Sequence, residues 1–279
     1  MIKTILIATD GSDYSKTAVE YGIYFAEKLE ASLIGLHVTD IRLLPGPFFG
    51  DVTGTISPPP YQDAIPIMEA ALQDRADAIL KAFQEQCGSK AVCRAIRKVT
   101  GIIDETIIEE GENADCILLA QRGERSHRVG GAILGSTAES VVRLSGKPVL
   151  ITPATFIETE SIALAYDGSP TADHALQLAV ALSDKALWPL TVITISSDPK
   201  ATDQTIKKIE PLLEGLAIKA ETIVLTGKED KVLLQFIQEG SVEMMIMGAF
   251  GHNRLHELFL GSTTSSIIRK SPIPILMTR

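Results

Sequence analysis

An internal repeat limits the possible folds of this chain more than any other feature of its sequence. Four stretches of the first half return in the second half in the same order: ILIATDGS (5–12) as IALAYDGS (162–169), VTG (99–101) as LTG (225–227), GST (135–137) as GST (261–263), and KPVLIT (147–152) as IPILMT (273–278). The spacing is far longer than the repeat unit of a solenoid, so it predicts a duplicated domain. A chain of 279 residues is long enough for two domains, and we place them at residues 1–153 and 154–279.

Each half is predicted to contain five short strands that alternate with four helices. The strands are expected at residues 2–9, 32–38, 91–99, 115–120 and 148–152, and at 161–166, 190–196, 218–225, 243–247 and 273–278. The helices are expected at residues 15–29, 67–86, 102–110 and 136–144, and at 171–184, 203–213, 230–239 and 262–270. Nearly unbroken apolar strands that alternate with helices indicate right-handed parallel βαβ units. The predicted fold is therefore α/β, with two tandem doubly wound five-stranded parallel sheets.

Residues 43–67 interrupt this pattern in the first half. They contain six prolines and three glycines, a composition that fits neither a helix nor a sheet ladder. We interpret the stretch as an insertion that forms a flap over a site or an interface arm. A mobile surface loop is the alternative. Residues 153–160 are interpreted as the linker between the halves.

Candidate binding residues cluster at the predicted carboxyl ends of the strands, where doubly wound sheets bind ligands. Asp10 and Asp167 follow the first strand of each half, and glycine-rich loops follow the fourth strands. The loop at residues 247–263 has three glycines and leads into a helix through Gly-Ser-Thr. A helix N-terminus presents unpaired N–H groups and a positive dipole end, which favour phosphate. An ordinary flexible connection is the alternative.

With these motifs in place, both halves resemble universal stress protein domains, which have an adenine nucleotide alpha hydrolase-like fold. The ATP-binding branch of that family carries Gly, two residues, Gly, nine residues, Gly, then Ser or Thr. The second half satisfies this spacing in full with Gly248, Gly251, Gly261 and Ser262. The resemblance covers nearly the whole chain, apart from the insertion and the linker. It implies ATP, with Mg or Mn as a possible companion, as the ligand.

The resemblance also implies which residues would contact the nucleotide in the second half: Asp167, Ile195, Gly227, Gly248, Gly251, His252, Gly261, Ser262 and Thr263. Asp167 would meet the ribose or adenine side, Ile195 would bond adenine through its backbone, and Gly227 would leave room beside the base. The glycines of the loop would line the ribose and phosphates, and Ser262 and Thr263 would meet the β- and γ-phosphates. A helix cap or Asx-turn is the alternative role for Asp167.

The first half departs from the family spacing. Ala120 stands where the first glycine should be, and eleven residues, not nine, separate Gly123 from Gly135. A second set of candidate positions is nevertheless retained there: Asp10, Val38, Gly101, Gly123, Gly135, Ser136 and Thr137. The loop also carries basic residues, which indicate either a solvated surface or an anion site: Arg122, Arg125, His127 and Arg128. We expect the second half to be the competent member of an asymmetric pair.

Three functions remain open from the sequence. The first is an ATP-binding stress or signalling module. The second is a slow ATP hydrolase in which Asp167, a divalent metal and Ser262 position water. The third is a structural member of the family that binds nothing. No Walker lysine, dinucleotide fingerprint or kinase set is found, so no catalytic residue is assigned. His252 and His256 are four apart but have no acidic third ligand, so no protein-bound metal is assigned.

Composition excludes several classes of partner. The net charge of −9 argues against nucleic acid and against an anionic membrane surface. No apolar run approaches the roughly 18 residues of a membrane helix, and residues 1–10 are too short for a signal peptide. The sparse cysteines, Cys87, Cys93 and Cys116, fit a reducing compartment, with Cys116 as a small buried hydrophobe. We therefore expect a cytoplasmic protein whose cysteines have no redox or metal role.

The last predicted strand of each half is apolar and would need to be covered if it lay at a sheet edge. The resemblance implies that such strands pair across a two-fold axis. In a tandem chain the two halves would then pair with each other as an intramolecular pseudo-dimer. We further expect a homo-oligomer, a dimer of tandem chains.

Overall fold

The computed structural model describes residues 1–44, 64–90, 92–124, 136–214, 219–248 and 261–279. The first half forms β1 (Thr4–Ala8), α1 (Asp13–Leu29), β2 (Ser32–Asp40), α2 (Ala64–Cys87), β3 (Cys93–Gly101), α3 (Ile103–Gly111), β4 (Cys116–Ala120), α4 (Ser136–Leu144) and β5 (Val149–Thr152). The second half forms β6 (Ile162–Ala165), α5 (Pro170–Ala186), β7 (Leu190–Ile195), α6 (Pro199–Leu213), β8 (Ala220–Leu225), α7 (Glu229–Gln238), β9 (Met244–Gly248), α8 (Ser262–Lys270) and β10 (Ile275–Thr278). The order of strands and helices follows the prediction in both halves.

The ten strands form one sheet, in the order β3-β2-β1-β4-β5-β10-β9-β6-β7-β8. Neighbouring strands within each half are parallel, and β5 and β10 pair antiparallel through Ile151 and Ile275, Leu150 and Leu276, and Val149 and Met277. Each half therefore contributes the five parallel strands that were predicted, and the two sets join into one sheet through their last strands, the strands that were expected to pair. The physical reason is that β5 and β10 are fully buried and apolar, so each supplies the hydrogen-bonding partner that the other's edge requires.

Helices cover both faces of the sheet and build two apolar layers that each extend across both halves. One layer packs α1, α2, α5 and α6 against residues such as Ile7 and Leu164. The other packs α3, α4, α7 and α8 against residues such as Leu6 and Met245. Because both layers continue through the β5–β10 joint, the two halves share their hydrophobic core.

Helices α2 and α6 begin three and four residues earlier than predicted, and the other helix starts are within two residues of the prediction. Helix α6 starts at Pro199 because Asp198 caps it, accepting a hydrogen bond from the backbone of Lys200 at 3.0 Å. Helix α2 starts at Ala64, so Pro66 lies in its first turn, where proline is tolerated. The predicted insertion also overlaps a 3₁₀ turn at Ile41–Leu43, and its residues 45–63 lie outside the described residues.

The linker packs closely along α1. The hydroxyl of Tyr21 donates to the carbonyl of Thr155 at 3.0 Å and accepts from the backbone of Ile157 at 3.0 Å. The hydroxyl of Tyr24 donates to the carbonyl of Thr159, and the ring of Phe156 lies 4.8 Å from that of Tyr21. These contacts fix the linker to the first half along most of its length.

Cys87 and Cys93 form a disulfide between the end of α2 and the start of β3, with their Cα atoms 6.1 Å apart. The expectation that no cysteine has a redox role is therefore wrong for this pair. The turn between the two elements, which includes Gly88 at a φ of 57°, brings the two residues together. Cys116 is a buried free thiol, as expected, and burial raises its pKa to about 12. Among the described helices, none is long and apolar enough to span a membrane.

Candidate functional site

The strand registers of the second half bring four of the predicted residues to one edge of the sheet. Extending the parallel pairing of β6 with β7 and β9 puts Asp167 level with Ile195 and one residue beyond Gly248. Ile195 pairs with Leu225 at the end of β8, two residues before Gly227. The carboxyl ends of β6, β7, β8 and β9 therefore form a continuous edge, which we call the second-half edge.

Asp167 occupies the turn between β6 and α5. Its Oδ1 accepts a hydrogen bond from the backbone of Ser169 at 2.9 Å, and Ser169 caps α5 by accepting from the backbone of Ala172 at 3.2 Å. The Asx-turn considered from the sequence is therefore present. The hydroxyl of Thr194 donates to the carbonyl of Tyr166 at 3.4 Å and holds the residue before Asp167 from the neighbouring strand. Asp167 remains exposed in this arrangement.

Glycine is required where β9 meets the beginning of α5. A Cβ atom at Gly248 would lie 2.8 Å from the hydroxyl of Thr171 and 3.2 Å from its carbonyl carbon. Just after β8, Gly227 has a φ of 139°, a backbone conformation that residues with a side chain rarely adopt. At both positions of the second-half edge the backbone therefore carries no side chain. Sequence reasoning missed Thr171, since no local pattern marks the residue that faces a glycine 77 positions later.

Helix α8 begins at the same edge, because it follows β9 and returns to the start of the parallel strand β10. Its N-cap is Gly261, which makes no side-chain capping bond, and the first helical bond runs from the backbone of Ser265 to the carbonyl of Gly261 at 2.9 Å. The N–H groups of Ser262 and Thr263 therefore precede the helical hydrogen-bond ladder. Gly251 and His252, predicted on the intervening loop, lie outside the described residues.

The carboxyl ends of β1, β2, β3 and β4 form the corresponding edge of the first half, which we call the first-half edge. Its predicted residues lie at equivalent positions. Extending the pairing of β1 with β2 puts Asp10 level with Val38, and Gly101 ends β3 opposite Asp40. Nδ1 of His37 lies 2.8 Å from the carbonyl of Thr9, at the place that Thr194 occupies in the second half.

The first-half edge also includes Gly123 after β4, and Ser136 and Thr137 at the start of α4. Beside them, the guanidinium of Arg122 lies 5.9 Å from the ring centroid of Tyr14. The remaining predicted positions of this loop, Gly135 and the basic residues Arg125, His127 and Arg128, lie outside the described residues.

The carboxylate of Asp10 is engaged by the first half's own chain. Its Oδ2 accepts from the backbone of Glu124 at 2.7 Å, and its Oδ1 accepts from the backbone of Ser12 at 3.0 Å. Gly123 packs so closely that an added Cβ would lie 2.7 Å from Oδ2. Burial raises the pKa of Asp10, but hydrogen bonds from Ser12, Glu124 and Ser15 outweigh it and bring the pKa below its usual value.

A half-exposed ion pair links α2 to the segment that contacts Asp10. The carboxylate of Glu124 pairs with the guanidinium of Arg75 on α2. Neither residue was among the sequence candidates, and their separation of 49 positions leaves no spacing that would have marked them. Within the described part of the chain, no group of three or more His, Cys, Asp or Glu side chains is arranged to hold a metal ion.

The fold and its two edges define a duplicated α/β protein in which each half joins a strand–Asp–Gly–Ser turn to a helix that begins with Ser-Thr. A model of the universal stress protein family matches residues 1–153 and 158–279. The chain therefore belongs to the universal stress protein family, as the resemblance of both halves implied.

Individual relatives match either the whole chain or one half. A universal stress protein of Synechocystis is 29% identical over 291 aligned positions that cover 100% of both chains. One from Thermus aquaticus is 30% identical over 138 positions, which cover 43% of this chain and 98% of its own length. The crystal structure of a universal stress protein from Archaeoglobus fulgidus has the same fold, with a TM-score of 0.75, 24% identity, and coverage of 99% of this chain and 96% of the other.

Proposed function

We propose that the second half binds ATP at its edge and that the protein acts as a nucleotide-dependent stress or signalling module. The observation that carries this proposal is the close approach of Gly248 to α5, where a Cβ atom would meet the hydroxyl of Thr171 at 2.8 Å, at the same edge as the start of α8, whose N-cap Gly261 makes no side-chain capping bond. Backbone without side chains beside a helix N-terminus is suited to bind phosphate. The glycine spacing of the loop between them supports the same ligand.

Different residues of the second-half edge would contact the phosphates, the ribose and the base of the nucleotide. The N–H groups and hydroxyls of Ser262 and Thr263 would receive the phosphates, since they stand at the positive end of α8. Asp167 is exposed one residue beyond the level of Gly248, in a position to accept hydrogen bonds from ribose hydroxyls. Ile195 and Gly227 follow on the adjoining strands and would border the base. A divalent cation, Mg²⁺ or Mn²⁺, would accompany the phosphates.

The first half is proposed to bind no nucleotide of its own under the same conditions. The carboxylate of Asp10 accepts a hydrogen bond from the backbone of Glu124, and Gly123 packs against it. A ribose at this edge would have to displace that segment, which is connected to the rest of the first half by its hydrogen bond to Asp10 and by the half-exposed ion pair of Glu124 with Arg75. The expected stoichiometry is therefore one nucleotide per chain.

Calorimetric titration with MgATP tests the proposal. The wild-type protein should bind one equivalent, and ATP at millimolar concentration should raise its melting temperature. Gly248→Val should weaken binding at least tenfold, because the new side chain enters the space beside Thr171. Ala95→Val is the control, since it adds bulk at an exposed position of β3, at the first-half end of the sheet, and should leave the affinity unchanged. Absence of binding by the wild-type protein would contradict the proposal, and two equivalents would contradict the assignment of the first half.

We also infer that the β5–β10 joint is the intramolecular form of a two-fold dimer interface. The sheet order supports this reading, because the strands of the two halves follow in the same succession when counted outward from the joint. The further association of two tandem chains remains a proposal, and light scattering that gives only the mass of one chain would reject it.

A further inference from the structure

The antiparallel joint brings the binding edge of the first half next to the far end of the phosphate helix proposed for the second half. Ala120, at the end of β4, pairs with Thr152 of β5. Extending the pairing of β5 with β10 puts Thr152 level with Pro274, just before β10 begins. Helix α8 ends at Lys270, a few residues earlier. The end of β4 and the end of α8 are therefore neighbours, although they belong to different halves.

Gln121 makes the contact between them. Its side chain is 7% exposed, and its Nε2 donates to the carbonyl of Ile268 at 2.6 Å and to that of Ser271 at 2.9 Å. Its own backbone N–H is fixed to the carbonyl of Thr152 at 2.9 Å. The last carbonyls of a helix have no partner within the helix, so a buried donor at this place holds the helix firmly. Gln121 thus secures the C-terminal turn of α8 from the first half.

The same short segment also forms the first-half edge. Gln121 is followed by Arg122, Gly123 and Glu124, and the backbone of Glu124 donates to Asp10. Four consecutive residues therefore connect the Asp10 carboxylate to the C-terminus of α8. Helix α8 has nine residues and is about 14 Å long, so it joins this segment to the second-half edge through a single rigid element.

A similar contact exists in the opposite direction. Arg279, which follows β10 at the second-half edge, donates from its guanidinium to the carbonyl of Arg143 near the end of α4 at 3.1 Å. Helix α4 is the first-half counterpart of α8, so each half reaches the C-terminal turn of the other half's helix. The Gln121 contact is the stronger of the two, because it is buried and bonds two carbonyls, whereas the Arg279 contact is exposed.

We propose that Gln121 is a positioning residue for the second-half site: it sets the placement of α8 from the first half and thereby the affinity of the second half for nucleotide. The effect on nucleotide affinity rests on the proposed ATP site. The placement of α8 by Gln121 rests on the described contacts alone. It gives the first half, whose own edge is closed, a defined role in the function of the second.

The matched pair of variants comes from the two ends of β4. Gln121→Met keeps the length of the side chain and removes its donors. Asp115→Ala, just before β4, removes two hydrogen bonds as well, those that Asp115 accepts from the backbones of Lys3 and Thr4, but it lies far from α8. Both variants should lose stability, so a difference between them isolates the contact with α8.

Two measurements decide the inference. In the nucleotide-free protein, Gln121→Met should exchange its α8 amide hydrogens faster than wild type, including that of Ser265 in the first turn. Asp115→Ala should exchange them at the wild-type rate. Calorimetry should show MgATP affinity reduced about tenfold in Gln121→Met, within the usual range of coupling between sites, and unchanged in Asp115→Ala. Equal α8 exchange in the two variants would overturn the inference, as would an unchanged affinity in Gln121→Met. If the wild-type protein bound no ATP while α8 exchange still differed, the proposed function would fail and the positioning of α8 by Gln121 would stand.

Discussion

Reduction of the disulfide between Cys87 and Cys93 should destabilise the first half without unfolding the protein. The bond joins the end of α2 to the start of β3, an edge strand of the sheet. Helix α2 in turn reaches the first-half edge, where a Cβ atom added to Gly11 would lie 2.8 Å from the side chain of Ile79. Loss of the bond therefore loosens the helix that carries Arg75, the partner of Glu124.

The size of the effect follows from the length of the closed loop. For a sequence separation of 6, the chain-entropy model gives about 2 kcal/mol of stabilisation at 25 °C. Unfolding of 279 residues carries an entropy of about 0.6 kcal/mol/K, so this free energy corresponds to about 4 °C in melting temperature. The shift is small compared with the loss of a core residue, because the two cysteines are close in sequence.

The assay compares melting temperatures before and after treatment with a phosphine reductant, with thiol alkylation and mass spectrometry as the count of free cysteines. The native oxidised protein should take up no label. After reduction it should take up label at Cys93, which is half-buried, whereas label at Cys87 and Cys116 should require denaturant because both are buried. The double variant Cys87→Ser, Cys93→Ser should show a shift similar to that of reduction and no further change with reductant.

Two results would refute this reasoning. Three free thiols in protein purified without reductant, under air, would show that the bond does not form. An unchanged melting temperature with both thiols shown to be free would show that the bond does not stabilise the fold.

Two further predictions concern Asp10 and the linker. Since the folded-state pKa of Asp10 is lowered, its carboxylate stabilises the fold above the unfolded value near 3.8 and loses this contribution as the pH falls through the folded pKa. Urea unfolding should therefore show wild type more stable than Asp10→Asn at pH 6, with the difference reduced near pH 2, and a pH-independent difference would contradict it. Tyr21→Phe should cost about 1–3 kcal/mol, because it removes the bonds to Thr155 and Ile157, and an unchanged urea midpoint would show that the linker is held by apolar contacts alone.

The sequence predicts the elements of this fold well where burial leaves a continuous apolar pattern. Strands β1, β4 and β9 are within three residues of their predicted bounds, because strands covered on both faces appear as unbroken apolar runs. The predicted starts of the edge strands β3 and β8 are two residues too early, since these strands are only partly buried and their apolar pattern is weaker. The predicted start of helix α6 is four residues too late, because the cap at Asp198 and the following proline precede the apolar pattern that predicts the helix.

The candidate site divides in a similar way. Its strand-end positions, including Asp167 and Gly248, could be placed from fold rules, because parallel strands end at a common edge. The long-range contacts of the segment that follows β4 could not be predicted. Glu124 reaches Asp10 across 114 positions, and Gln121 reaches α8 across nearly 150, so their partners depend on tertiary packing that no local spacing records.

The joint between β5 and β10 has a consequence for how the halves can change over time. In a dimer of identical chains, every substitution occurs twice, and an interface residue must be compatible with its own copy. Here Val149 faces Met277, two different positions that can be altered one at a time. The same freedom extends to Ala120 and Gly248, the corresponding ends of β4 and β9. Covalent fusion therefore lets one half lose the family's glycine spacing while the other retains it, and it fixes their ratio at one to one in every molecule.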